Sequence, residues 1–309
     1  MPGTSAPVIV TEHSPAFWRV TFDNPPLNLL NPEAFAGLRH LVERLESDDQ
    51  VRVVLFDSAN PDYFIAHLDM HRLPEVPDVP GAADFAEAWP DLSVRLSRLP
   101  QITIAAIRGR CRGIGSEFAL ACDIRFASRE RAIFCQTEVG AGHTVGGGGI
   151  EWLTRLVGRS RALEIVASSD DYDATTAELY GWVNRAVPDA QFEAFVENFA
   201  HRLAGFDRKP IEAAKAVVNE RSTPLPTEAD IRASWEVFVA CLEWPEARAR
   251  LELLVERGLQ QPGDYELRLG HHIGQLSATP GPGRSSGPGA EARNAPPSSE
   301  MTTSATKFS

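Results

Sequence analysis

The chain is expected to fold as an α/β protein that opens on a wound α/β unit and ends in a helical C-terminal region. Residues 102–127, ITIAAIRGRCRGIGSEFALACDIRFA, run from a branched apolar strand through a glycine-punctuated turn into a short helix and out into a second strand. Residues 8–56 read as strand, strand, helix, strand, and from Asp189 onward nearly every window has helical composition. With 309 residues and 43% hydrophobic content the chain can bury one large core, or a core plus a small appendage.

Val8–Thr11 and Phe17–Phe22 are the first two strands, separated by the turn residues His13, Ser14 and Pro15. Asn31 can cap a helix, Pro32 suits its first position and Glu33 its positive end. Phe35, Leu38, Val42 and Leu45 then recur at helical spacing, so residues 32–47 should form an amphipathic helix before a buried strand at Val51–Phe56. Tyr63-Phe64-Ile65-Ala66-His67-Leu68-Asp69-Met70 follows, and then a proline-rich loop at residues 74–82. Asp84–Leu99 has helical composition with a break or kink expected at Pro90, where a substrate-covering segment could sit and a residue of Phe85–Trp89 line a pocket.

In the central stretch, Ile102–Ile107 is the strand, Gly109, Gly113 and Gly115 punctuate the turn, and Ser116–Cys122 is the helix. The first N–H groups of such a helix lack partners, so the N–H near Ile114 can face a ligand oxygen carrying negative charge. Glu117 lies one turn further along, which puts an oxyanion donor and an acid or base on one rigid element. The run Arg-Gly-Arg-Cys-Arg-Gly-Ile-Gly-Ser-Glu-Phe-Ala-Leu-Ala-Cys-Asp, residues 108–123, resembles the central signature of the enoyl-CoA hydratase/isomerase family, the crotonases.

Two further segments extend the resemblance. Residues 63–70 are similar to the family's Phe-x-Ala-Gly-Ala-Asp turn, whose alanine N–H is the second oxyanion donor; Ala66 and Asp69 match, whereas His67 and Leu68 replace small residues. His67 is expected to be a wall of the pocket, with a role as local acid the alternative. Ala132–Gln136 reads as a strand, and Glu138 after it stands where family members carry a glutamate. Hydration of a conjugated double bond needs one carboxylate to deprotonate water and another group to protonate the neighbouring carbon, and two close carboxyls raise the pKa of one of them. Gly142–Gly149 resembles the family's glycine-rich stretch before a helix, with His143 structural.

Helices are expected at Glu151–Val157 and Ser160–Ala167, then one ending at Tyr180, and a last strand at Trp182–Val187. The C-terminal helices should span 189–204, 208–221 and 227–258, the last kinked near Pro245. The tail is rich in Pro, Gly, Ser, Thr and Ala and is expected to be disordered. The resulting division is a spiral core over 1–190, a helical oligomerisation region over 191–262 and a disordered tail over 270–309.

A net charge of −12, from 30 basic and 42 acidic residues, argues against a general nucleic-acid binder, which needs a basic face. Arg108, Arg110 and Arg112 alternate on an extended segment and are expected on a solvated face. Cys111, Cys122, Cys135 and Cys241 have no short paired spacing, so reduced thiols are expected. With no signal-peptide pattern and no apolar window of membrane-span length, a soluble cytoplasmic protein is expected. Neither a metal-ligand cluster nor a dinucleotide fingerprint is evident, and no cofactor is expected beyond a CoA thioester as substrate.

The resemblance covers residues 8–260 and implies the crotonase ββα spiral, with two near-perpendicular sheets and C-terminal helices that assemble subunits into a homotrimer or hexamer. It implies hydration of a 2-enoyl-CoA, with Glu117 and Glu138 catalytic, the N–H groups of Ala66 and Ile114 as oxyanion hole, and Ala66, His67, Leu68, Asp69, Gly113 and Gly115 around the substrate. The alternatives are a Δ3-Δ2 enoyl-CoA isomerase or other crotonase-fold acyl-CoA enzyme, and a non-catalytic protein that binds CoA thioesters.

Overall fold

The computed structural model describes residues 6–72 and 85–276, so the proline-rich loop at 74–82 and the tail beyond residue 276 lie outside the described residues. The chain opens with β1 (Val8–Ser14) and β2 (Phe17–Phe22), an antiparallel pair, followed by α1 (Pro32–Ser47). Asn31 caps α1 by accepting the Ala34 N–H at 2.9 Å, and Pro32 occupies its first turn, as the spacing predicts.

Three strand-strand-helix turns come next: β3 (Val53–Ser58), β4 (Tyr63–Ile65) and α2 (Phe85–Arg98); β5 (Ile102–Ile107), β6 (Arg110–Arg112) and α3 (Ile114–Ala121); β7 (Ile124–Ser128), β8 (Ile133–Cys135) and α4 (Gly149–Leu156). In each turn the first strand joins a six-stranded sheet and the second a four-stranded one. The chain then continues through α5 (Gly158–Ser168), β9 (Tyr172–Asp173), α6 (Ala174–Tyr180) and β10 (Arg185–Val187). The large sheet has the order β1-β2-β3-β5-β7-β10 and the small one β4-β6-β8-β9. From β2 to β10 the large sheet is parallel, which requires cover on both faces.

That cover follows from a period of two along the strands. Val54 and Phe56 of β3, with Ala105 and Ile107 of β5, face a core shared with Phe35 of α1, Trp89 of α2 and Phe118 of α3. Val53, Leu55, Ile104 and Ala106 point the other way, onto Phe192, Val196 and Ala200 of α7 (Asp189–Ala204). Helix α7 therefore covers the same sheet that carries the wound turns, and the described residues form one compact unit.

Helices α8 (Arg208–Arg221), α9 (Glu228–Leu242), α10 (Pro245–Glu256), α11 (Asp264–Leu267) and α12 (Leu269–Gly274) complete the described chain. Proline acts differently at two positions. Pro90 lies inside α2 without ending it, because α2 packs against α1, α3 and α9 and the tertiary contacts outweigh the lost backbone bond. At Pro245 the expected kinked helix is instead two helices, with proline in the first turn of the second. A further correction concerns residues 270–276, assigned by composition to the tail: most of them lie in α12, and Ile273 is buried. No helix among the described residues is long and apolar enough to cross a membrane. All four cysteines are buried and free.

Candidate active site

Helix α3 is the floor of the site. Its N-cap, Gly113, adopts φ 49° and donates its N–H to the Cys135 carbonyl at 2.9 Å. A side chain there would strain the backbone, and its first carbon would lie 2.9 Å from Glu138 Oε1. Gly115 is pressed against the Ile65 carbonyl, so its glycine serves helix-to-strand packing. No side chain caps α3, and among the described residues no acceptor takes the Ile114 N–H. Gly113 and Ile114 line a cavity of about 610 Å³, including its open mouth.

Glu117 follows one turn into α3, buried at 2% exposure. Its Oε1 accepts the N–H groups of Gly147 at 2.7 Å and Gly149 at 3.0 Å, from the glycine-rich loop and the start of α4. A methyl group on Gly147 would run into Glu117 Oε2, so glycine is needed for the loop to come this close. Trp89 of α2 holds the same loop from behind, its Nε1 donating to the Gly147 carbonyl at 2.9 Å. Trp89 thus supports the site and does not line its cavity.

Glu138 leaves the end of β8 and lines the same cavity. Its Oε2 is buried without a hydrogen-bond partner among the described residues. Burial raises the pKa of both carboxyls. For Glu117 the two loop N–H groups counteract burial and the Glu151 charge adds to it, leaving it pushed up to about 7. Glu138 is raised well above the usual carboxylate range by burial and then by the Glu117 charge. The more strongly hydrogen-bonded Glu117 is therefore the one that ionises first, while Glu138 keeps a proton.

The turn at residues 66–69 requires a correction. The Ala66 N–H donates to the Asn28 carbonyl at 3.2 Å, and Ala66 lies off the cavity, fully buried against Leu27 and Tyr63. Two residues on, Leu68 lines the cavity, and among the described residues no acceptor takes its N–H. The parallel bridge of Leu68 with Leu30 sets this arrangement: Leu30 N–H donates to the His67 carbonyl at 2.9 Å and Asp69 N–H to the Leu30 carbonyl at 3.1 Å. The Ala66 N–H is thus already engaged, whereas the Leu68 N–H is left over at the cavity wall. Asp69 also lies off the cavity, where it accepts from Gln260 Nε2 at 2.8 Å. Of the residues expected around a substrate, His67, Leu68 and Gly113 line the cavity, while Ala66, Asp69 and Gly115 support it from outside.

The rest of the wall escaped the sequence reading. Trp235 and Phe238 of α9, Leu251 and Leu254 of α10, and Leu259, Leu269 and Ile273 further on make an apolar end. Helical periodicity shows that such residues are buried but not against what. Nor do the three alternating arginines form a solvated face: Arg112 is fully buried and bidentate to Asp171 at 2.8 Å, Arg108 pairs with Asp189 and Glu193, and Arg110 Nε donates to the Leu267 carbonyl at 3.1 Å. His143 lines the cavity edge-on to Phe238, and burial lowers its pKa.

Residues 12–260 match the family described as enoyl-CoA hydratase/isomerase. The chain is 28% identical over 239 residues to a Clostridium acetobutylicum protein named short-chain-enoyl-CoA hydratase, a match covering 77% of this chain and 90% of that protein. A Streptomyces avermitilis crystal structure described as a candidate enoyl-CoA hydratase superposes with a TM-score of 0.83 at 44% identity, covering 90% of this chain and all of that one. A Geobacillus kaustophilus structure described as an enoyl-CoA hydratase gives a TM-score of 0.65 at 25% identity, with 82% and 96% covered.

Proposed function

This chain belongs to the enoyl-CoA hydratase/isomerase family, and we propose that it acts on acyl-CoA thioesters by adding water across the double bond of a 2-enoyl-CoA to give a 3-hydroxyacyl-CoA. The observation that carries this reading is the inequality of the two cavity carboxyls. Glu117 Oε1 is fed by two N–H groups and Glu138 Oε2 by none. An isomerase that moves one proton needs one such group, whereas hydration needs a base and an acid at once.

In the proposed reaction the thioester oxygen lies between the N–H groups of Leu68 and Ile114, where enolate charge is stabilised as it develops. The Glu117 carboxylate holds a water and takes one of its protons while the oxygen bonds to the β carbon. Glu138 gives its proton to the α carbon. Passing a proton from Glu117 to Glu138 then restores the starting state. The apolar end made by Trp235, Phe238 and the C-terminal residues takes the acyl chain. A cytoplasmic setting suits four buried thiols without disulfides, and no metal or redox group enters the proposed steps.

The test is the loss of conjugated thioester absorbance when the protein meets crotonyl-CoA and longer, branched and aromatic enoyl-CoAs. Turnover of at least one member is expected, with Glu117→Gln and Glu138→Gln each slower by about 10²–10⁴-fold. An unchanged panel, with CoA thioesters still bound, removes the hydratase reading.

A further inference from the structure

A histidine, His67, stands beside the Leu68 amide in the cavity wall, where hydration by Glu117 and Glu138 makes no use of it. Its ring is held at both nitrogens. Nδ1 lies 2.9 Å from the Leu68 carbonyl oxygen and Nε2 lies 2.9 Å from Glu266 Oε1 of α11. The two side chains are 8% and 0% exposed. A backbone carbonyl only accepts, so Nδ1 carries a proton. Glu266 Oε2 accepts the Gln260 N–H at 2.9 Å, and Arg112 Nη1 reaches the Glu266 carbonyl at 2.7 Å, an environment that favours a carboxylate. Nε2 then donates as well, and the ring is an imidazolium. Burial opposes both charges, yet the Glu266 charge and hydrogen bond hold His67 above its ordinary value, and the His67 charge and hydrogen bond hold Glu266 below its own.

We propose that His67 and Glu266 are positioning residues that fix the Leu68 peptide, keep its N–H aimed at the substrate oxygen, and tie that alignment to the C-terminal segment closing the cavity. Only the identity of that oxygen rests on the hydration reading. The peptide before Leu68 is pinned by Leu30 N–H on the His67 carbonyl, and the peptide after it by His67 Nδ1 on the Leu68 carbonyl and by Asp69 N–H on Leu30. The C-terminal segment is bound to the same place. Gln260 Nε2 donates to Asp69, and Arg110 and Arg112 of β6 both donate to the Leu267 carbonyl, at 3.1 and 3.0 Å. Leu259, Leu269 and Ile273 of this segment form cavity wall. The segment that shapes the acyl end and the turn that presents an oxyanion donor are thus one mechanical unit.

The charged and titratable groups around the pair are Arg110 and Arg112 of β6, Asp171 bound to Arg112, Tyr63 of β4 and Asp69 in the turn, with Glu117 and Glu138 across the cavity. The sign of the pH effect follows. His67 has a raised folded value, so its contribution is whole below the ordinary 6.5 and is lost as pH rises through the raised value. Glu266 has a lowered one, so its contribution is present above the ordinary 4.5 and is lost as pH falls through the lowered value. Once His67 has lost a proton, the one remaining cannot serve both Leu68 and Glu266, and the Leu68 peptide is released.

Glu266→Gln separates geometry from charge. The glutamine amide can donate to Nε2 of a neutral ring while its oxygen accepts from Gln260, leaving the Nδ1 proton on Leu68. In the wild-type enzyme kcat is expected to fall about tenfold as His67 deprotonates, less than the 10²–10³ of losing an oxyanion donor outright, with KM changed far less. That alkaline step should vanish in Glu266→Gln. Spectra of the full chain labelled with ¹⁵N at histidine and leucine, assigned with His67→Gln, read the same event without turnover. Two protonated ring nitrogens at pH 7 are expected, with the Leu68 amide shifting as the ring titrates, and neither feature in Glu266→Gln. A His67 ring neutral at pH 7, or the tenfold step or Leu68 shift unchanged in Glu266→Gln, overturns the proposal, whereas the full loss of rate as Glu138 ionises is common to both proteins. Absence of enoyl-CoA turnover with the expected spectra overturns the hydratase reading and leaves the positioning pair standing.

Discussion

Glu117 and Glu138 share a cavity and a residue type, and they are set apart by hydrogen bonding. Two N–H groups favour charge on Glu117, whereas for Glu138 only its own backbone N–H opposes burial and its neighbour's charge. Turnover should therefore rise as pH increases through about 7, where Glu117 ionises, and fall again where Glu138 loses its raised proton. A pH profile of kcat/KM on the best substrate shows this as a bell, and in Glu117→Gln its acidic limb should disappear with most of the rate. Gly147→Ala tests the loop that feeds Glu117: the new methyl would meet Glu117 Oε2, Trp89 Nε1 and Ile114 Cδ1. It should cost tenfold or more in kcat and about 1–3 kcal/mol of stability, read by urea unfolding. Both glutamates were legible in the sequence, because each stands beside a recognisable turn. Which N–H of this turn is free was not legible, because Ala66 and Leu68 share one side of an extended segment and pairing with Asn28 and Leu30 decides between them. The His67 partner lies 199 residues away, and nothing local in the sequence announces it.

Elements whose signals are local were found close to their true bounds. Helix α1 has its cap, proline and apolar stripe within one stretch, and it appears as expected over Pro32–Ser47. Elements decided by packing were not: α2 runs through Pro90 because three helices hold it, and α12 forms in a stretch that composition assigned to the tail. Helix α8 is fastened by one long contact, Lys215 Nζ donating to Asp123 at 2.7 Å and to the Gln101 carbonyl at 2.9 Å. Removing that amine in Lys215→Met leaves Asp123, 19% exposed, with the two Thr103 donors but without its counter-charge, so the cost should be about 2–3 kcal/mol, below the 3–5 of a fully buried pair. In α10, Leu254 is fully buried and also forms cavity wall. Leu254→Ala should cost about 2–5 kcal/mol by thermal or urea unfolding and raise KM for the longer acyl chains.

At the scale of the whole molecule, the repeat of two strands and a helix divides successive strands between two sheets, and α7 closes the exposed face of the larger one. This architecture was legible through the resemblance of residues 63–70, 108–123 and 132–138 to one family rather than through signals repeated in every turn. Among the exposed apolar side chains are Val217 and Val218 on α8, Val237 and Val239 on α9, and Trp244. Such a surface is expected to lie between copies of the chain, and light scattering on the purified protein should give three or six times 33.8 kDa. Hydration itself is tested most directly by turning over an enoyl-CoA in ¹⁸O-labelled water and weighing the product. A 3-hydroxyacyl-CoA carrying one ¹⁸O is expected, formed by the wild type and nearly absent with Glu117→Gln or Glu138→Gln. A product of unchanged mass with its double bond moved, or labelled product formed equally well by both variants, would contradict it.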